Sequence, residues 1–138
     1  MPISDYRTAL VTGANTGMGE AITRMLTDGG VQVYGVARNA AKLQDVADAT
    51  GMRPIVADIS DPAAIEAAVA GLEVDILVNN AGVSATGNIL DATAESVDAM
   101  VDVNLRAVLH LCRLLAPGMV ARDRGHIVNI SSIAGTYN

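Results

Sequence analysis

Val11-Thr12-Gly13-Ala14-Asn15-Thr16-Gly17-Met18-Gly19-Glu20 joins a short apolar run, Thr8-Ala9-Leu10-Val11, to a segment of helical periodicity. Glycines at 13, 17 and 19 free the backbone to adopt positive φ and to lie flush against a bulky guest. Where such a turn opens a helix, the first N–H groups have no intrahelical partner and the aligned peptide dipoles add partial positive charge. A phosphate answers both, and a dinucleotide pyrophosphate does so at once. The spacing is Gly-x3-Gly-x-Gly rather than the Gly-x-Gly-x-x-Gly of the commonest dinucleotide fingerprint. Glycine turns also join strands to helices for packing alone, so the surrounding chain decides between the two readings.

Downstream, Met18, Ala21, Ile22, Met25 and Leu26 recur at three- and four-residue steps, predicting a helix that Gly29-Gly30 ends. Residues 31–36 read as a second strand, and Arg38-Asn39 turns into a helix through about Ala49. Residues 52–57 give a third strand, Asp58 to Pro62 a turn with a cap and a first-turn proline, 63–70 a third helix, and 74–79 a fourth strand. After a loop of small residues, 94–121 forms the longest helical stretch, which Pro117-Gly118 is expected to break or kink. Val97, Val101, Asn104, Val108, Leu111 and Leu115 fall on one stripe of it. Residues 126–131 read as a fifth strand, followed by a loop from Ser132. Strands alternating with helices, with near-continuous apolar runs in the strands, predict one doubly wound α/β domain with a parallel sheet of about five strands.

Composition agrees. A chain of 138 residues is one domain by length, 51% apolar, and its three aromatic residues are all Tyr, so the core is built from Val, Ile, Leu, Met and Ala. The net charge of -6 opposes nucleic acid or an anionic membrane as partner. The single cysteine, Cys112, excludes an internal disulfide and leaves no Cys/His cluster at zinc spacing, so no metal site is expected. With no charged-then-apolar leader and no apolar run near ~18 residues, the expected setting is cytoplasmic, without a membrane span.

In a doubly wound sheet, ligands bind beyond the carboxyl ends of the strands. There the sequence collects the glycine turn, Ala37-Arg38, Asp58, Asn80-Ala81-Gly82 and Ser131-Ser132. Taken together, these segments resemble the classical short-chain dehydrogenases/reductases. Thr12 to Gly19 matches their Thr-Gly-x3-Gly-x-Gly signature, Asn79-Asn80-Ala81-Gly82 their Asn-Asn-Ala-Gly motif, Asn104 their long-helix asparagine, and Ile130 to Gly135 their catalytic-serine segment, in the family's order.

The resemblance implies a Rossmann-type sheet of order 3-2-1-4-5 and NADP(H)- or NAD(H)-dependent hydride transfer between a small-molecule alcohol and a carbonyl. It assigns catalysis to Ser132 and Asn104, with Ser131 competing for the serine's part. It assigns cofactor binding to Gly13, Asn15, Thr16, Gly17, Met18 and Gly19 at the pyrophosphate, to Asp58 and Ile59 at the adenine, and to Asn80, Ala81 and Gly82. Asp58 could instead be a helix cap, and Asn80 could close the sheet end. Ala37 stands where an acidic residue would bind the ribose 2'-hydroxyl of NAD, so Arg38 reads as the partner of a 2'-phosphate and NADP(H) is expected over NAD(H). A homodimer or homotetramer through the long helix is also implied.

The family's Tyr-x3-Lys pair lies farther beyond the serine than this sequence extends, and no lysine follows Tyr137. The expectation is therefore a cofactor-binding domain over 1–138, incomplete at its C-terminal side relative to the family and inactive alone. The alternative is a half-domain that holds a dinucleotide or a protein partner without turnover.

Overall fold

The computed structural model describes residues 2–85 and 88–132. Five strands form one parallel sheet: β1 Thr8–Thr12, β2 Gln32–Ala37, β3 Arg53–Val56, β4 Ile76–Asn79 and β5 His126–Asn129. Their order is β3-β2-β1-β4-β5, as expected for a Rossmann-type fold. Leu10 of β1 stands opposite Tyr34 on one side and Leu77 on the other, and Asn79 stands opposite Asn129. The strand order reverses between β1 and β4, so the polypeptide leaves their carboxyl ends in opposite directions and opens a crevice there.

Helices α1 (Gly17–Asp28) and α2 (Ala40–Thr50) cover one face, and α3 (Pro62–Val69) and α5 (Ala107–Ala121) the other. Alternation within β1 feeds both layers. Ala9 and Val11 pack with Leu26, Leu43 and Val46, while Leu10 packs with Ile65, Val69, Leu111 and Leu115. The helix ends follow their local chemistry: Asn39 accepts from the Lys42 N–H at 3.0 Å, and Asp61 caps α3 with Pro62 in its first turn. Gly51 closes α2 in the left-handed region at φ 76°.

The long helical stretch departs from the expectation in three ways. It comprises α4 (Ala94–Val101), a π turn over Asp102–Arg106, and α5. The π turn shifts the rotational register, so the residues turned to the core are Val103, Ala107, Leu111, Leu115 and Met119, whereas Val97 and Val101 are exposed. Asn104, expected on a buried stripe, is exposed. Finally, α5 continues through Pro117 to Ala121. The ring removes one intrahelical bond, but Leu115 and Met119 on either side are buried against the sheet layer and hold the helix together.

Candidate functional site

A cleft of about 740 Å³ opens over the carboxyl ends of β1 to β4. Its walls include Gly13, Asn15, Thr16, Gly17, Met18, Arg38, Asp58, Ile59, Asn80, Ala81 and Gly82. Eleven of the twelve residues expected at a cofactor thus meet in one crevice, although they come from four separate segments. The twelfth, Gly19, lies beneath the glycine turn. A methyl group there would be driven into the Gly13 carbonyl oxygen, so glycine at 19 lets α1 approach β1.

The turn itself has the geometry of an anion cradle. Gly13 and Gly17 have φ of 66° and 56°, the region that favours glycine, and open space surrounds the place of a Gly17 side chain. Thr16 precedes α1 with extended backbone and makes no side-chain cap. The first-turn N–H groups are left without a capping side chain, facing a cleft large enough for a dinucleotide.

Thr12 ties the turn to the segment after β4. Its buried hydroxyl lies 3.0 Å from both the Asn80 and Ala81 N–H groups, which donate to it. The Asn80 Nδ2 in turn donates to the Thr12 carbonyl at 3.0 Å. That is the sheet-closing role weighed for Asn80, and the residue also forms part of the cleft wall. In the sequence, Thr12 reads only as a letter of the motif. A hydroxyl at the carboxyl end of an apolar strand, followed by glycine, was the available signal.

Also in the cleft wall, Arg38 follows β2 and its guanidinium Nη1 lies 3.9 Å from Asp58 Oδ2. The N–H and hydroxyl of Ser60 both donate to Asp58 Oδ1, at 2.9 and 2.7 Å. Asp61, not Asp58, caps α3. The Ser60 N–H, then its hydroxyl, hold the Asp58 carboxyl below the usual carboxylate range; partial burial opposes this and the Arg38 charge assists. Among the described residues lining the cleft, Arg38 and Asp58 are the only side chains that carry charge.

Asn104 sits in the π turn and clasps Val83: its Oδ1 accepts from the Val83 N–H at 2.9 Å and its Nδ2 donates to the Val83 carbonyl at 2.8 Å. Both partners are backbone groups of Val83, which supply what the amide required. Val83 and Val103 line the cleft although neither was expected there. Ser132 lies past the end of β5, exposed, and outside the cleft wall. Tyr137, and the Ile133-Ala134-Gly135 context used to choose Ser132 over Ser131, lie outside the described residues. The described residues contain no group of three or more His, Cys, Asp or Glu able to hold a metal, and no helix long and apolar enough to cross a membrane.

Comparison with known proteins gives this geometry a family. A model described as short chain dehydrogenase matches residues 7–138. The NADP-dependent 3-hydroxy acid dehydrogenase YdfG of Escherichia coli (strain K12) is 39% identical over 136 residues, 93% of this chain and 55% of that protein. L-xylulose reductase of Mus musculus is 42% identical over 131 residues, covering 93% and 54%. Among solved structures, the closed form of serine dehydrogenase complexed with NADP+ superposes with a TM-score of 0.88 at 38% identity, over 94% of this chain and 56% of that one. A metagenomic short-chain oxidoreductase in complex with NADP gives 0.88 at 40%, over 96% and 64%. The chain spans about half the length of the curated relatives it matches. With the motif residues gathered at the switch point of a sheet ordered as the family's is, this chain belongs to the short-chain dehydrogenase family.

Proposed function

We propose that residues 1–138 form the dinucleotide-binding domain of an NADP(H)-dependent oxidoreductase, C-terminally incomplete relative to its family, that interconverts a small-molecule alcohol and a carbonyl. The observation that carries this is an uncapped, glycine-lined helix N-terminus and Arg38 in the wall of one cleft, with Ala37 rather than an acidic residue at the end of β2. The pyrophosphate would lie on the first turn of α1, next to Gly13 and Asn15 to Met18, with Gly19 underneath. Asp58 and Ile59 would flank the adenine, and Asn80 to Gly82 the remainder of the dinucleotide. The cofactor, when bound, supplies the hydride. Arg38 would face a 2'-phosphate and favour NADP(H) over NAD(H), in keeping with the NADP named for the relatives.

Ser132 is proposed to hydrogen-bond the reacting oxygen. Asn104 is proposed as the catalytic asparagine, held in place by its grip on Val83. The described residues of the cleft wall include no tyrosine or lysine, so residues 1–138 alone are expected to bind without turnover. That favours, as a second reading, a half-domain that binds and does not catalyse. Val97, Val101, Leu105 and Leu109 are exposed at four-residue steps along α4, the π turn and α5. This apolar strip supports assembly as a homodimer or homotetramer. The single cysteine and acidic balance support a cytoplasmic setting.

Calorimetric titration with NADP+ and NAD+ tests the cofactor assignment. Arg38→Ala is expected to weaken NADP+ by about 10- to 150-fold, the ~1.5 to 3 kcal/mol of a charge-assisted bond, with NAD+ little changed. Equal affinities for the two nucleotides in the parent chain would overturn the preference. NADPH oxidation with a panel of ketones tests the expectation the two readings share, since turnover by residues 1–138 alone would overturn it.

A further inference from the structure

We infer that Asp58 sets the strength of the cofactor preference by competing for the Arg38 guanidinium, so that the two residues act as one switchable pair rather than as independent contacts. The inference rests on the dinucleotide reading above and goes beyond it by giving Asp58 a part in discrimination between cofactors. Three observations carry it.

First, the two side chains face one another across the end of the cleft, Arg38 Nη1 3.9 Å from Asp58 Oδ2. That is the outer limit of an ion pair, and the side chains are 70% and 45% exposed. Such a pair is weak, so it can be broken by a better anion at little expense. Second, the two oxygens of Asp58 are not equivalent. Oδ1 is held by the N–H and hydroxyl of Ser60, which anchors the carboxylate; Oδ2 is the one turned to Arg38. Anchoring on one side keeps the competing charge in place when Arg38 moves. Third, Arg38 and Asp58 are the only charged side chains in the described cleft wall. Arg38 therefore has no other anion in the cleft to choose besides Asp58 and whatever the ligand brings.

A ligand carrying a phosphate beside Arg38 draws the guanidinium from Asp58, and that pairing is given up. A ligand without that phosphate leaves Arg38 on Asp58, and Oδ2 remains shared. Part of the affinity of Arg38 for the phosphate offsets the loss of its pairing with Asp58. Neutralising Asp58 should then strengthen the preference for the phosphorylated cofactor, and only where Arg38 is present to be released.

The test is a double-mutant cycle read as binding, with NADP+ and NAD+ titrated into the parent chain, Asp58→Asn, Arg38→Ala and the double variant. Arg38 is exposed and Asp58 half-buried, both lie outside the core, and asparagine keeps a carbonyl for Ser60. The ratio of NAD+ to NADP+ dissociation constants is expected to rise about two- to fivefold on Asp58→Asn when Arg38 is present, the size of an exposed ion pair, and to stay unchanged in the Arg38→Ala background. An equal rise in both backgrounds would mean that the carboxylate acts on the phosphate directly and would overturn the coupling. No rise in either would overturn it as well. Failure of the parent chain to bind either nucleotide would refute the dinucleotide reading itself, and this inference with it.

Discussion

The two ends of the sheet treat polar groups in opposite ways. At the amino ends of the strands, Asp75 is 1% exposed and wholly engaged by the protein: its Oδ2 accepts from the Arg7 N–H at 2.8 Å, and Arg124 Nε and Arg122 Nη2 lie 3.2 and 3.5 Å from Oδ1. Its own N–H and carbonyl bond to Thr8 and His126, so one residue links β1, β4 and β5. At the carboxyl ends, donors face an open cleft, Thr16 leaves α1 uncapped, and the one ion pair in the wall is long and exposed. The closed end contributes stability, whereas the open end leaves its hydrogen-bonding groups facing the cleft. Burial decides which end is which, because an unpaired charge is tolerable only where water or a ligand can reach it.

Removing Asp75 should break the closed end. Asp75→Ala leaves two arginines facing a hole and is expected to cost about 3 kcal/mol, measured as the shift of the urea unfolding midpoint. Nucleotide affinity of the folded fraction should not change. A loss below ~1 kcal/mol would mean that the arginines rehydrate freely, and the contrast between the ends would collapse.

A smaller effect is expected where the open end is stitched to the sheet. Thr12→Val orphans the Asn80 and Ala81 N–H groups and should cost about 1 to 3 kcal/mol, with faster hydrogen exchange at those two amides. Thr12→Ser should restore both. Unchanged exchange in Thr12→Val would show that the 80–82 segment is held by something else.

The smallest effect is a slope. Burial pushes the Asp75 carboxyl up, but the Arg7 N–H and then Arg124 outweigh it and hold the group below its ordinary value. Its stabilisation is therefore complete above the unfolded-state value of about pH 4 and is lost as pH falls through the lower, folded-state value. Unfolding midpoints followed down through that range should fall more steeply for the parent than for Asp75→Asn. Parallel curves would remove Asp75 from the acid response.

Much of this was legible in the residues. Runs such as Ala9-Leu10-Val11 and Ile76-Leu77-Val78 can be buried on both faces only in a covered parallel sheet, and the structure has them so. The glycine turn gave the crevice its position. Asp75 was missed because a lone acid in an apolar strand has no local partner; Arg7, Arg122 and Arg124 approach it only when β1 and β5 flank β4. The stripe expected on the long helix differs from the buried one because a regular α-helical step does not hold through 102–106, where the turn is wider. The sign was Asn104 itself, an amide that broke an apolar stripe.

That wider turn also separates two packing demands. Each added residue rotates the side chains beyond it by about 100°, so a wide turn works as a clutch between two lengths of helix. The core-facing residues of α5, from Ala107 to Met119, answer to the sheet. Val97 and Val101 answer to whatever lies outside it. The exposed face of α4 can therefore suit a neighbour without retuning the positions that hold α5 on the sheet, and the grip of Asn104 on Val83 sits in the turn between the two lengths.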